Sequence, residues 1–186
     1  MYNIISMIRG YAPKCEQEER DRSQMLTFME ASEGWLTRDN TMAHVTASAW
    51  IVDPDRTMAL MIYHNIYDSW AWTGGHADGE DDLLAVAMRE AREETGVEVR
   101  AVSESPISIE CLCVNGHTKR GSFVSPHIHM NATYLLEADP AAAARIKPDE
   151  NSGVMWIPFD RLKEYVSEAV MLPIYEKLTA RALQMR

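Results

Sequence analysis

Three carboxylates close together on one segment are the residues most able to do chemistry. They lie in Arg89-Glu90-Ala91-Arg92-Glu93-Glu94-Thr95-Gly96-Val97, inside a segment from about Asp81 to Thr95 that reads as strongly helical. At about 100° per residue, Glu90, Glu93 and Glu94 fall on one helical face. Like charges at that spacing cost roughly 0.2–0.5 kcal/mol per pair, and a bound cation removes the cost. Hard oxygen donors without His or Cys favour magnesium, with manganese as the alternative ion, over zinc. The competing reading is a solvated charged face in which Arg89 pairs with Glu93 at i, i+4. The Gly-rich loop Thr73 to Gly79 directly before the helix favours the site. Its backbone can approach a phosphate, and the helix N-terminus beyond it attracts negative charge.

Weaker candidates lie further on. Asp149 and Glu150 occupy a polar loop that is either a plain turn or the source of a base. Lys119 and Arg120 sit at a hairpin tip and either meet phosphate or stay in solvent. His127 and His129 alternate along a strand and so point the same way. With His44, His64 or His76 they suggest a zinc pair, but spacing specifies no fourth ligand, and core or base-stacking histidines are the reading adopted. Trp70 and Trp72 either stack on a base or simply pack.

These residues must be held by a fold, and the pattern outlines it. Residues 14–33 read as a helix with a narrow stripe of Met25, Phe28 and Met29. Ala43 to Val52 and Thr57 to Tyr63 read as strands around the turn Asp53-Pro54-Asp55. Gly96 ends the acidic helix as a C′ residue. A strand pair follows, about Ile107 to Val114 and Ser122 to Leu136, joined across Asn115-Gly116 and the basic stretch His117 to Arg120. Asp139-Pro140 has the form of an N-cap and N1 proline for a short alanine-rich helix. Gly153 to Ile157 reads as a strand, and Asp160 and Leu172-Pro173 open two closing helices, the last with Ile174, Leu178 and Ala182 on one side. Strands interleaved with helices predict a mixed sheet covered on both faces.

At 186 residues the chain suits one domain with an extension. Eighteen basic against 28 acidic residues leave a net charge of −10, which argues against a nucleic-acid polymer or an anionic membrane as partner. A phosphate can still bind where a divalent cation lies between. No membrane-length apolar run or signal peptide is visible, and Cys15, Cys111 and Cys113 read as reduced thiols of a cytoplasmic protein.

The segment Gly75 to Val97 resembles the Nudix box, which runs Gly, five residues, Glu, seven residues, then Arg-Glu-U-x-Glu-Glu-x-Gly-U, with U a bulky aliphatic. Gly75, Arg89, Glu90, Glu93, Glu94, Gly96 and Val97 match, while Asp81 and Ala91 depart from the pattern. Trp72-Thr73-Gly74-Gly75-His76, the lead-in from Leu36 to Trp50, and Asp149-Glu150-Asn151 before Trp156-Ile157-Pro158 extend the likeness. It divides the chain into an extension, 1–39, and a Nudix domain, 40–186. The resemblance implies an α/β/α sandwich with a mixed sheet and an N-terminal helical extension. It implies a Mg2+-dependent, MutT-like pyrophosphohydrolase acting on a nucleoside diphosphate linked to another group. Glu93 and Glu94 would ligate the metal, and Glu90 would be a further ligand or a base. Arg89 and Asp81 would be structural partners in the box, and Glu150 a catalytic base. Gly74, Gly75, His76, Lys119 and Arg120 would meet substrate phosphate. The partner implied is a small phosphorylated metabolite, with a homodimer through the extension, or a cover over the pocket, left open. Two other functions stand beside this one: a sensor module that binds ADP-ribose or a nucleotide without cutting it, and isopentenyl-diphosphate isomerase. The isomerase needs a cysteine where Gly74 stands.

Overall fold

The computed structural model describes residues 3–119 and 121–185. Two helices come first, α1 (Ile4–Gly10) and α2 (Glu16–Ala31). Four strands follow: β1 (Ala43–Val52), β2 (Met58–His64), β3 (Ser69–Ala71) and β4 (Thr73–His76). Helix α3 (Leu83–Thr95) leads to β5 (Arg100–Ala101), β6 (Ser108–Val114), β7 (His117–Lys119), β8 (Ser122–Val124), β9 (His127–Glu137) and β10 (Asn151–Pro158). A 3-10 turn, Phe159–Arg161, opens the closing helices α4 (Leu162–Tyr165) and α5 (Leu172–Gln184).

Among the described residues, one eight-stranded mixed sheet has the order β10-β2-β1-β9-β5, with β3 on β2, β4 on β1 and β6 on β9. Its centre is the parallel pair β1 and β9, in register from Ala43 opposite Ile128 to Val52 opposite Glu137. Every residue of β1 is buried, as a strand covered on both faces requires. One face of β1, with Val45, Ala47, Ala49 and Ile51, packs with Val86, Ala87 and Ala91 of α3. The other face sets Trp50 and Val52 against Tyr175, Leu178 and Ala182 of α5. The expected sandwich is therefore present, with α3 and α5 as its outer layers.

The extension is built into this sandwich. Met25 and Met29 of α2 join the core, as do Ile4 and Ile8 of α1. Helix α1 has no counterpart among the elements expected from sequence. Its signal is local: Asn3 caps it by accepting from the Ser6 amide at 3.1 Å. Helix α2 lies along the edge of β6. The Asp21 carboxylate accepts from the Cys111 amide at 2.9 Å, and the Gln17 amide donates to the Ile109 carbonyl at 3.2 Å. An edge strand covered this way offers no free ladder to another chain.

The charged first half of α2 is not all exposed. Glu18 is 0% exposed and accepts from Arg181, Tyr11 Oη at 2.9 Å, Ser108 Oγ at 2.8 Å and the Lys14 amide at 2.8 Å. Lys177 stands 3.4 Å from it and 2.9 Å from Glu110. Burial by itself would raise the Glu18 pKa, but the bonds from Arg181, Lys14 and Ser108 and the Lys177 charge hold it at about 2.

Three further expectations are corrected. Thr73–His76 is a strand paired with β1 rather than part of a loop. Ser122 to Leu136 is broken at Ser125-Pro126, where proline cannot donate to a ladder. Strand β8 instead pairs with β7, and β9 starts afresh at His127 opposite Val114. The alanine-rich stretch after Asp139-Pro140 makes a single turn, with the Ala142 amide on the Asp139 carbonyl at 3.0 Å, and no helix. A helix that short is marginal by itself, and the Arg145 amide is bonded to the Thr95 carbonyl at 2.8 Å. No described helix is long and apolar enough to cross a membrane.

Candidate active site

Helix α3 begins at Leu83, where Asp82 caps it by accepting from the Ala85 amide at 3.0 Å. Asp81, the box position that departs from Glu, is half-buried just outside the helix. The other end stops at Gly96, whose φ of +70° is the left-handed conformation glycine adopts freely. Between these ends the apolar face docks on the sheet and the three glutamates fall at graded depth. Glu93 is exposed, Glu90 is half-buried and Glu94 is 3% exposed.

The glycine pair on β4 allows this approach. A Cβ on Gly75 would stand 2.5 Å from the Glu90 carboxyl carbon, so only glycine lets the helix carboxylate lie against the strand. The Gly74 amide donates to Glu94 Oε2 at 3.1 Å, so both glycines meet box carboxylates. Arg89 pairs with Glu90 at 3.2 Å and stands 3.9 Å from Glu93, which fits a structural role in the box.

The loop before β10 completes the group. Lys147 Nζ bridges Glu93 at 3.1 Å and Glu150 at 2.8 Å. Asn151 is fully buried and donates to the Glu94 carbonyl at 2.9 Å. Glu150 is therefore brought to the α3 carboxylates, whereas Asp149 is exposed. Lys147 was not singled out by sequence reasoning, and Asn151 entered only as the end of the Asp149-Glu150-Asn151 run. The i, i+3 spacing of Lys147 and Glu150 was the available signal.

Electrostatics mark the site as short of positive charge. Burial pushes the Glu94 pKa well above the usual carboxylate value, and the charges of Glu150 and Glu90 push it further. Burial also raises Glu90, helped by Glu93 and opposed by Arg89. A buried carboxylate whose charged form is disfavoured, beside further carboxylates, suits a divalent cation held by oxygen donors.

The histidines form a second group, on the other face of β4. His76 pairs with Thr46 of β1, and His44 is opposite His129 across the parallel pair. The His44 ring lies 5.0 Å from His76, 4.9 Å from His127 and 5.0 Å from His129. His64, a candidate for the same group, is elsewhere and stacks on Tyr67 at 4.2 Å. Burial, then the neighbouring His76, His44 and His127, hold His129 far below the ordinary imidazole value; burial also lowers His44. Of the hairpin-tip pair, Arg120 and the Lys119 side chain lie outside the described residues. Trp70 and Trp72 pack edge-on against Tyr63 and Tyr175.

The family model described as NUDIX domain matches residues 42–178. The chain is 30% identical over 118 residues to the m7GpppN-mRNA hydrolase NUDT17 of Xenopus laevis, covering 60% of this chain and 38% of that protein. It is 29% identical over 122 residues to the CMP-5'-(N-acetyl-N-hydroxy-3-aminopropyl)phosphonate hydrolase of Streptomyces rubellomurinus, covering 63% of this chain and 53% of that protein. It thus spans about half or less of the length of these curated relatives. Its fold is similar to that of a C. elegans Ap4A hydrolase, with a TM-score of 0.55 at 16% identity over 75% of this chain and 98% of that one. With most of the chain matched by the family model and the box carboxylates gathered against the glycine pair, the protein belongs to the Nudix family.

Proposed function

We propose that the chain is a pyrophosphohydrolase that uses a divalent metal ion to cut a nucleoside diphosphate linked to another group. The observation that carries this is Glu94, a buried carboxylate held by the Gly74 amide, with the charges of Glu150 and Glu90 acting on it and Lys147 tying Glu150 to Glu93. Glu90, Glu93 and Glu94 would hold the ion, magnesium or manganese by the hardness of their oxygens. When bound, such an ion supplies a water of lowered pKa and neutralises pyrophosphate charge.

The remaining work falls to this chain's own groups. Gly74 fixes the Glu94 carboxylate and Asn151 fixes its backbone, so its direction is set before substrate arrives. Lys147 neutralises Glu93 and Glu150, and its ammonium would be the nearby cation for a phosphate if those carboxylates were engaged by a metal ion. Glu150, on the loop facing α3, takes the proton from attacking water. Both curated relatives carry a nucleotide in their names, which supports the nucleotide class without selecting a member.

A panel of dinucleotides, ADP-ribose, nucleotide sugars, CMP-linked phosphonates and nucleoside triphosphates, each with magnesium, tests this reading. Coupled phosphate or NMP release should appear for at least one compound and vanish with EDTA. Tight binding of a panel member without turnover would replace the hydrolase with a sensor module.

A further inference from the structure

We propose that His44, His127 and His129 form a second metal site, one for a zinc-class transition ion, on the face of the sheet opposite the α3 carboxylates. One ligand nitrogen from each of the three lies within 4.8 Å of the other two. His127 Nε2 and His129 Nε2 are 3.1 Å apart. Nitrogens bound to one tetrahedral zinc at about 2.0–2.1 Å stand roughly 3.3 Å from one another, so the His127–His129 pair is already near that spacing and the set has about 1.5 Å or less to close.

Two of the three tautomers are already arranged for it. His44 Nδ1 is 3.0 Å from the Asn40 carbonyl, and His127 Nδ1 is 2.9 Å from the Ser125 carbonyl. A carbonyl accepts only, so each Nδ1 carries the proton and each Nε2 presents a lone pair. A backbone carbonyl on the far ring nitrogen is the usual support of a metal-binding histidine. For His127 that lone pair accepts from His129 Nε2, whose proton an ion between the two would displace. For His44, which is 4% exposed, Nε2 is buried and has no hydrogen-bond partner among the described residues. A buried nitrogen left unpaired forfeits the hydrogen bond it made to water in the unfolded chain, and an ion among the three rings would satisfy it.

The donor chemistry separates the two sites. Imidazole suits zinc and its neighbours, while magnesium prefers oxygen. His127 and His129 are half-buried, which gives an ion a way in and leaves a fourth position to water or a substrate group. His127 directly follows the β7–β8 hairpin, so the ion would tie that hairpin's root to β1.

The test uses the full chain with Cys15→Ser and Cys113→Ser, since exposed thiols also bind zinc. Chelator-stripped protein is titrated with zinc against a chromogenic chelator in excess magnesium, and with cobalt to read tetrahedral absorption. One zinc per chain, resistant to magnesium, is expected. His129→Ala and His127→Gln should each weaken it at least tenfold, and Glu93→Gln should not. Circular dichroism checks the fold; if His129→Ala misfolds, His127→Gln at its half-exposed position reads the same outcome. Zinc that is displaced by magnesium, lost in Glu93→Gln, or unaffected by both histidine variants overturns the site. No stoichiometric zinc at all does so too, and leaves the rings as a packed cluster. Failure here does not touch the hydrolase reading, whose carboxylates are on the other face.

Discussion

Strand β4 has two faces, and they make an instructive pair. Gly75 turns toward α3 and admits Glu90, while Gly74 and His76 turn toward the β1 residues Ser48 and Thr46 and the histidine group. The first face gathers carboxylates from one helix and one loop. The second gathers imidazoles from three strands. Hard charged donors call for a cation to relieve repulsion, whereas neutral rings call for one only to satisfy lone pairs. Both lie within a few residues of the same glycine pair, so four residues of strand can serve two kinds of chemistry.

The largest expected effect tests the division between the faces. Glu94→Gln should lower turnover by several orders of magnitude, because it removes a charged ligand and keeps the shape. The fold should persist, since an amide in that burial avoids the desolvation that raises the Glu94 pKa. Near-native turnover in saturating magnesium, measured on the best panel substrate, would remove Glu94 from the site.

A comparable free energy, spent on stability instead, is expected at Glu18. Glu18→Gln leaves Arg181 buried without a counter-charge, and breaking such a pair costs about 3–5 kcal/mol. The sign with pH follows from its depressed pKa. Its contribution is present above the ordinary glutamate value and is lost as pH falls toward about 2. Urea melts between pH 6 and 3 should therefore show the gap between wild type and variant narrowing toward the acid end. A constant gap would show that packing, not charge, is lost. Magnesium affinity at the box should be unchanged in the folded fraction.

These two residues also show how far the fold and site were legible in the sequence. The box could be read because its members share one helix, where a fixed turn converts spacing into a face. Glu94 is therefore found from its neighbours alone. Glu18 meets Arg181 across 163 positions, and no local period connects them, so a buried ion pair passes for a solvated helix turn. The histidines fall between these cases. His127 and His129 were placed on one side of a strand by alternation, but His44 joins them only through the parallel register of β1 and β9. That register needs the whole crossover to be known. Loss of the expected helix after Asp139 has the same origin, since tertiary bonding at Arg145 outweighs a weak local preference.

A smaller effect separates base from ligand. Glu150→Gln should lower kcat roughly 10²-fold, the low end for general-base catalysis, with little change in metal affinity. Asp149→Asn, at an exposed position, should do much less. Equal, small effects from both would make the loop a scaffold for Lys147 and nothing more.

The finest comparison uses the glycines themselves. A Cβ on Gly74 would stand 2.6 Å from Ser48 Oγ and 2.8 Å from the Ala47 carbonyl oxygen. The second of these is backbone in the central strand, which cannot yield cheaply, so Gly74→Ala should cost stability, about 1–3 kcal/mol as for other overpacked positions. The three atoms nearest a Cβ on Gly75 all belong to the Glu90 side chain, at 2.5–2.8 Å. That side chain can swing aside, so Gly75→Ala should melt near wild type while its magnesium requirement rises. The two substitutions are the same in chemistry and adjacent in sequence, and differ only in the face they crowd. If instead both variants melted alike and kept wild-type magnesium dependence, Glu90 would not need to touch β4, and the close approach at Gly75 would be packing without consequence for the ion.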